Sequence, residues 1–183
     1  MVILLVGGVQ SGHAQSRPSP PSSQAVLEEA SRLHKLAEKL YGEGKFGEAV
    51  PLAERALALR EKALGAMHPD VAESLNNLAV LYGAQRAYGK AEPLLVRALD
   101  INEKALGPMH PDVAECLNNL ASHYWAQGAY PKAVPLYVRA LDIREKALGP
   151  MHPDVAECLN NLAGLYKDQG VYAKAEPLYV RAL

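Results

Sequence analysis

Apolar residues recur along this chain in two alternating helical patterns. Between Pro111 and Gly128, Leu117, Leu120, Ala121 and Tyr124 fall three or four residues apart. Between Tyr130 and Leu148, Ala133, Leu136, Tyr137, Ala140, Leu141 and Ile143 do the same. Each stretch predicts an amphipathic helix with an apolar stripe on one side and polar residues on the other. The punctuation agrees. Pro111 suits a first helical position, where its missing N–H would be unpaired anyway. Asp112 and Glu115 stand in the first turn, at the positive end of the helix dipole. Gly128 ends the first helix, and Gly149-Pro150 closes the second as C-cap and stop. Pro135 is expected to be tolerated because the N–H groups of a first turn have no intrahelical partner. Asp142 and Lys146 are expected to form an exposed i,i+4 pair worth a few tenths of a kcal/mol. Small Ala121, Ala133 and Ala140 let the two helices approach, and the Leu and Tyr side chains fill between them.

The same pair of patterns returns along the chain. His-Pro-Asp-Val-Ala-Glu stands at 68–73, 110–115 and 152–157, a period of 42 residues. Residues 68–109 and 110–151 agree at 33 of 42 positions, and 26–67 matches 68–109 at 17 of 42, so the first unit is the most divergent. The units are therefore 26–67, 68–109, 110–151 and 152–183. A fixed period of this length means an array whose helix pairs stack on their neighbours. The expected fold is all-α, a right-handed solenoid of antiparallel helix pairs spanning 25–183.

Composition narrows the chemistry. Nineteen Lys and Arg against 20 Asp and Glu give a net charge of −1. That balance argues against a nucleic-acid binder, whose affinity rests on excess cations. The longest apolar run is far short of the roughly 20 residues of a membrane-spanning helix. Two cysteines make neither a disulfide scaffold nor a four-thiolate zinc site. Met-His recurs at 67–68, 109–110 and 151–152, but equivalent residues of stacked helices lie about 10 Å apart. They cannot converge on one metal, so each His reads as a helix-entry residue copied by duplication. Cys116 and Cys158, one period apart, are too distant for a disulfide and read as small packing residues, with Ser74 in the equivalent place. No phosphate loop or catalytic motif occurs. The chain is read as a non-enzyme without cofactor or metal.

The pattern resembles the tetratricopeptide repeat. The shared residues are Leu117, Leu120, Ala121 and Tyr124 of the first helix, Gly128 and Tyr130 of the turn, and Ala133, Tyr137 and Ala140 of the second helix. The period of 42 residues exceeds the usual length of about 34, and the eight added residues lengthen the second helix by about two turns. With Leu-Asn-Asn-Leu-Ala, Glu-Lys-Ala-Leu-Gly and His-Pro-Asp-Val-Ala, this longer form is similar to the repeats of kinesin light chain and its bacterial relatives. The first repeat departs most, with His34-Lys35 in place of Asn-Asn and Leu40 in place of Tyr.

That resemblance implies a concave groove lined by the first helices. Carried onto this sequence, the groove rows are Ser31/His34/Glu38/Tyr41, Glu73/Asn76/Val80/Gly83, Glu115/Asn118/Ser122/Trp125 and Glu157/Asn160/Gly164/Lys167. Asn76, Asn118 and Asn160 form a ladder of amides that can each donate and accept. Its rungs, about 10 Å apart, match three residues of extended peptide at about 3.3 Å each. Asn77, Asn119 and Asn161 are expected to bond within the protein instead. Trp125 is the sole tryptophan. It reads either as an aromatic anchor for a ligand or as packing beneath the neighbouring repeat. Glu73, Glu115 and Glu157 line the start of the groove, and Lys167 is the one lysine in its rows. A neutral or basic peptide is therefore the expected ligand.

The chain's two ends are of a different kind. Residues 2–9 are a short apolar run, followed by Gly12-His13-Ala14 and a Pro/Ser-rich stretch. Residues 1–14 read as a truncated secretory signal, giving a periplasmic or secreted protein, although no Lys or Arg precedes the run. The alternative is an untidy start to a cytoplasmic protein. Residues 15–24 read as linker. At the other end, the fourth second helix lacks the sequence that follows its counterpart in the third repeat, so self-association through an uncapped end is expected. The functional expectation is a scaffold binding an extended peptide or partner protein. The alternatives are an architectural segment of a longer array and an accessory module of a multidomain protein.

Overall fold

The computed structural model describes residues 22–183, so the apolar N-terminal run and residues 15–21 of the expected linker lie outside the described residues. Eight helices follow one another: α1 (Ser23–Gly42), α2 (Phe46–Leu64), α3 (Pro69–Ala84), α4 (Tyr88–Leu106), α5 (Pro111–Ala126), α6 (Tyr130–Leu148), α7 (Pro153–Asp168) and α8 (Tyr172–Ala182). Among the described residues there is no strand. Each odd-numbered helix packs along the even one that follows it, and each even helix packs on the next odd one. The result is an all-α solenoid of helix pairs.

The helix starts repeat as faithfully as the sequence. His68, His110 and His152 are N-caps, and each ring Nδ1 accepts the N–H of the residue two on at 3.2 Å. A proline then opens each helix. The recurrent His-Pro-Asp therefore seals three helix ends. Among the described residues, no three His, Cys, Asp or Glu side chains gather as a metal site. Gly65, Gly107 and Gly149 terminate α2, α4 and α6 with φ near +90°, which only glycine adopts without strain.

One expectation needs correcting. Pro135 lies inside α6, beyond the first turn that begins at Tyr130. Its place in the helix is not excused by an already unpaired N–H, and the helix forgoes one internal hydrogen bond there. Pro51, Pro93 and Pro177 repeat the arrangement in α2, α4 and α8.

The core is built of small residues at the crossings and large ones between. Ala121, Ala133 and Ala140 are fully buried, with Leu117, Tyr137, Ile143 and Leu159 around them. Neighbouring odd helices also touch, α3 with α5 and α5 with α7, and they approach more closely than any two even helices. In a curved stack the closer-spaced row lies on the inside. The odd helices therefore line the inner face.

Candidate functional site

The inner face carries a cavity of about 380 Å³ where α3 meets α5. Its lining gathers Glu38, Glu73, Asn76 and Glu115 from the predicted groove rows with Asp70, Asn77, Asn102 and Asp112. Five of those side chains are carboxylates, and no Lys or Arg is among the lining residues. A second cavity of about 260 Å³ adjoins it, shares Glu38 and Asn77, and is lined besides by His34, Ala37, Tyr41, Ala53, Val80 and Leu81. An acidic hollow and an apolar one thus lie side by side on the inner face.

The acids at the helix starts are not equivalent. Arg60, only 8% exposed, donates through one Nη1 to the backbone oxygen of Asp70, to Glu73 and to Ser74 Oγ. Arg144, 6% exposed, repeats this with the backbone oxygen of Asp154, Glu157 and Cys158 Sγ. In the repeat between them the position is Asn102. Its shorter amide reaches the backbone oxygen of Asp112 at 3.5 Å and Cys116 Sγ at 3.4 Å, but not Glu115. Glu115 therefore has no ion-pair partner among the described residues. Glu115 is exposed, and partial desolvation by the surrounding protein pushes its carboxyl above the usual glutamate range. Asp112, Glu73 and Glu157 push the same way, against the pull of Arg144.

Beneath Glu115 the polar groups are incompletely paired. Asn76 Nδ2 also donates to Cys116 Sγ, at 3.1 Å, so two amides converge on one sulfur. Both carbonyl oxygens, Asn76 Oδ1 and Asn102 Oδ1, are buried with no hydrogen-bond partner. An unmade hydrogen bond at a buried polar atom costs about 1–3 kcal/mol. Burial also pushes the Cys116 thiol up to about 11. The Asn76 and Asn102 amides oppose that rise, and Glu115 and Asp112 add to it.

The other predicted site residues fall into two groups. Asn160, Glu157 and Lys167 are exposed on α7. Asn118 is buried, and its Oδ1 accepts from Asn161 Nδ2 at 3.0 Å, which turns both residues toward the contact between α5 and α7. Asn77 makes the corresponding contact with the His34 ring. Trp125 is half-buried. Its Nε1 donates to Asp168 Oδ2 at 2.9 Å, its ring stands edge-on to Tyr137, and its far edge covers Gly164. These contacts belong to the packing reading of Trp125, against the next repeat. The asparagine ladder is not uniform either: one rung lines a cavity, one is consumed between helices, and one is open.

Sequence reasoning passed over Asn102. The available signal was the Arg-Asn-Arg alternation at 60, 102 and 144, in phase with the repeat.

The tetratricopeptide repeat profile matches residues 28–104, 84–146 and 112–183. Comparison with curated protein sequences gives no match. Among solved structures, the chain is similar to BtubC (BKLC) from P. vanneervenii, with 27% identity and a TM-score of 0.77. The similarity covers 92% of this chain and 66% of that one, so the chain spans just under two thirds of its length. It is also similar to a putative kinesin light chain with nearly identical TPR-like repeats from P. anserina, with 29% identity and a TM-score of 0.75, over 85% of this chain and 74% of that one. A Rap protein complexed with competence and sporulation factor shares the fold at 21% identity and a TM-score of 0.75, over 85% and 42% of the two chains.

Proposed function

The chain belongs to the tetratricopeptide repeat family, and we propose that its inner face holds an extended segment of a partner protein, neutral or basic in character. The observation that carries this reading is the cavity between α3 and α5. Glu38, Glu73, Asn76 and Glu115, four groove positions from three successive repeats, line one hollow that has five carboxylates and no Lys or Arg in its lining. A basic side chain entering there meets Glu115, a carboxylate with no cation of its own among the described residues, whereas an acidic one meets repulsion. The adjoining apolar hollow beside Tyr41 and Val80 suits a hydrophobic neighbour on the same peptide. Asn160, Glu157 and Lys167 extend the face over α7, where an open amide can bond a peptide backbone. Asn118 and Trp125 serve this face from beneath, holding α5 against α7.

Peptides selected from a random library on the immobilised chain test this reading. Their binding should collapse on Glu115→Lys and survive Lys104→Glu, since Lys104 pairs with Asp100 on α4, an outer helix. Binding sensitive to the α4 change and indifferent to the α5 change would move the site to the outer face.

One observation supports a second reading, assembly with another copy. Helix α8 buries only Ala175 and leaves Tyr172 and Val180 about two thirds exposed. Sedimentation across a concentration series distinguishes it, since a concentration-independent monomer would remove self-association from the account.

A further inference from the structure

We infer that the gap at Asn102 is a receptor for one arginine side chain of the bound peptide, whose guanidinium takes Glu115 as Arg60 takes Glu73 and Arg144 takes Glu157. The inference deepens the reading of the inner face as a peptide site and rests on it.

The chain supplies its own template. At two repeats out of three, the same three-part site is filled from within: a backbone oxygen near the helix start, a glutamate on the inner face, and a small hydroxyl or thiol beneath. At the repeat between them the three parts remain, as the Asp112 oxygen, Glu115 and Cys116, but the arginine is gone. Asn102 is too short to reach the glutamate. The space it leaves adjoins the acidic cavity, which both Asn102 and Glu115 line.

Two independent features point to a donor arriving from outside. Glu115 has no cation among the described residues, while Glu73 and Glu157 each have one. Asn76 and Asn102, both 4% exposed and both lining the cavity, hold carbonyl oxygens without partners. The last torsion of an asparagine is soft, so turning the Asn102 amide presents its oxygen to an entering N–H. A guanidinium offers five donors in a fixed fork, enough for the carboxylate and for these oxygens together. A lysine ammonium matches the charge but not the fork. A metal ion fits worse, because no three of these acidic side chains converge closely enough to hold one.

The occupant can be competed from within the chain. Asn102→Arg restores what two other repeats already carry, so the variant should fold, and its own guanidinium should fill the gap. The probe is a fluorescein-labelled extended hexapeptide of alanine and serine with one central arginine. It is read by polarisation and by amide NMR shifts, and compared with the same peptide carrying citrulline, which keeps the shape and loses the charge. The arginine peptide should shift residues around Asn102, Glu115 and Cys116. It should bind about tenfold or more tightly than the citrulline peptide, as charge-assisted hydrogen bonds warrant. Asn102→Arg should abolish that preference, and Glu115→Gln should reduce it. Equal binding of the two peptides on the inner face would overturn the arginine receptor and leave the peptide groove standing. Arginine-peptide binding unchanged in Asn102→Arg, or no arginine-peptide binding at millimolar concentration, would also overturn the receptor. The selected library peptides report separately on the groove.

Discussion

Trp125 lies so close over Gly164 that a β-carbon built at 164 would stand 2.9 Å from its Cη2. The contact joins α5 to α7 across a repeat boundary, and the indole N–H fixes the ring by bonding Asp168. A large residue in one repeat has been matched by the absence of a side chain in the next.

That match is measurable as a coupling. Gly164→Ala in the native chain gains about 1 kcal/mol of helix propensity but overpacks the ring, at about 1–3 kcal/mol. It should be neutral or destabilising. In a Trp125→Ala background the overpacking vanishes, and the same change should stabilise by about 1 kcal/mol. Denaturant melts of the four proteins give the interaction energy. Equal effects of Gly164→Ala in both backgrounds would show that the contact does not constrain the helices.

The raised carboxyl of Glu115 predicts a pH dependence with a definite sign. Its protonated form is favoured in the folded chain by partial desolvation and by Asp112, Glu73 and Glu157, against Arg144. Ionised Glu115 is therefore a cost of the native state. The relative stability it gives is fully present below the ordinary glutamate value of 4.5 and is lost as pH rises through the elevated folded value. Glu115→Gln should be more stable than the native protein at pH 7, with the difference closing below pH 4.5. Thermal melts at the two extremes decide it, and a glutamine variant less stable at pH 7 would reverse the sign.

The two thiols should be inert while the chain is folded. Burial pushes Cys116 up to about 11 and raises Cys158, the latter against the nearby Arg144. Since the thiolate is the reactive form, iodoacetamide at mildly alkaline pH should leave both unmodified in buffer and alkylate both in urea, as read by intact mass. Prompt native labelling of Cys116 would mean that the contact between α3 and α5 opens.

Arg144 should matter more for stability than an exposed arginine does. Arg144→Ala leaves the backbone oxygen of Asp154 and the Cys158 sulfur without their donor, an expected cost of about 1–3 kcal/mol. Glu157, more than half exposed, returns to water at little cost. Arg139→Ala, whose partner Glu103 lies on the outer helices, should cost less than about 1 kcal/mol. Urea midpoints of the two variants rank them.

The sequence by itself determined the repeat, its 42-residue period, the alternation of helices and the residues that end them. These follow from local rules, in which apolar spacing selects helix and proline, histidine and glycine mark its ends. The sequence also placed Glu73 with Asn76 on one face of α3 and Glu115 with Asn118 on the equivalent face of α5, because helical periodicity alone assigns residues to a face. Tertiary structure decided which members of a face remain open. Asn118 and Asn76 are the same residue type at the same repeat position, yet one bonds Asn161 of the next repeat and the other lines a cavity with its oxygen unpaired. The difference lies in what meets each residue from other helices: Asn76 shares Cys116 Sγ with Asn102, whereas Asn118 receives the Asn161 amide. Burial and pairing depend on what packs across the repeat boundary, so a pattern read along one helix cannot contain them.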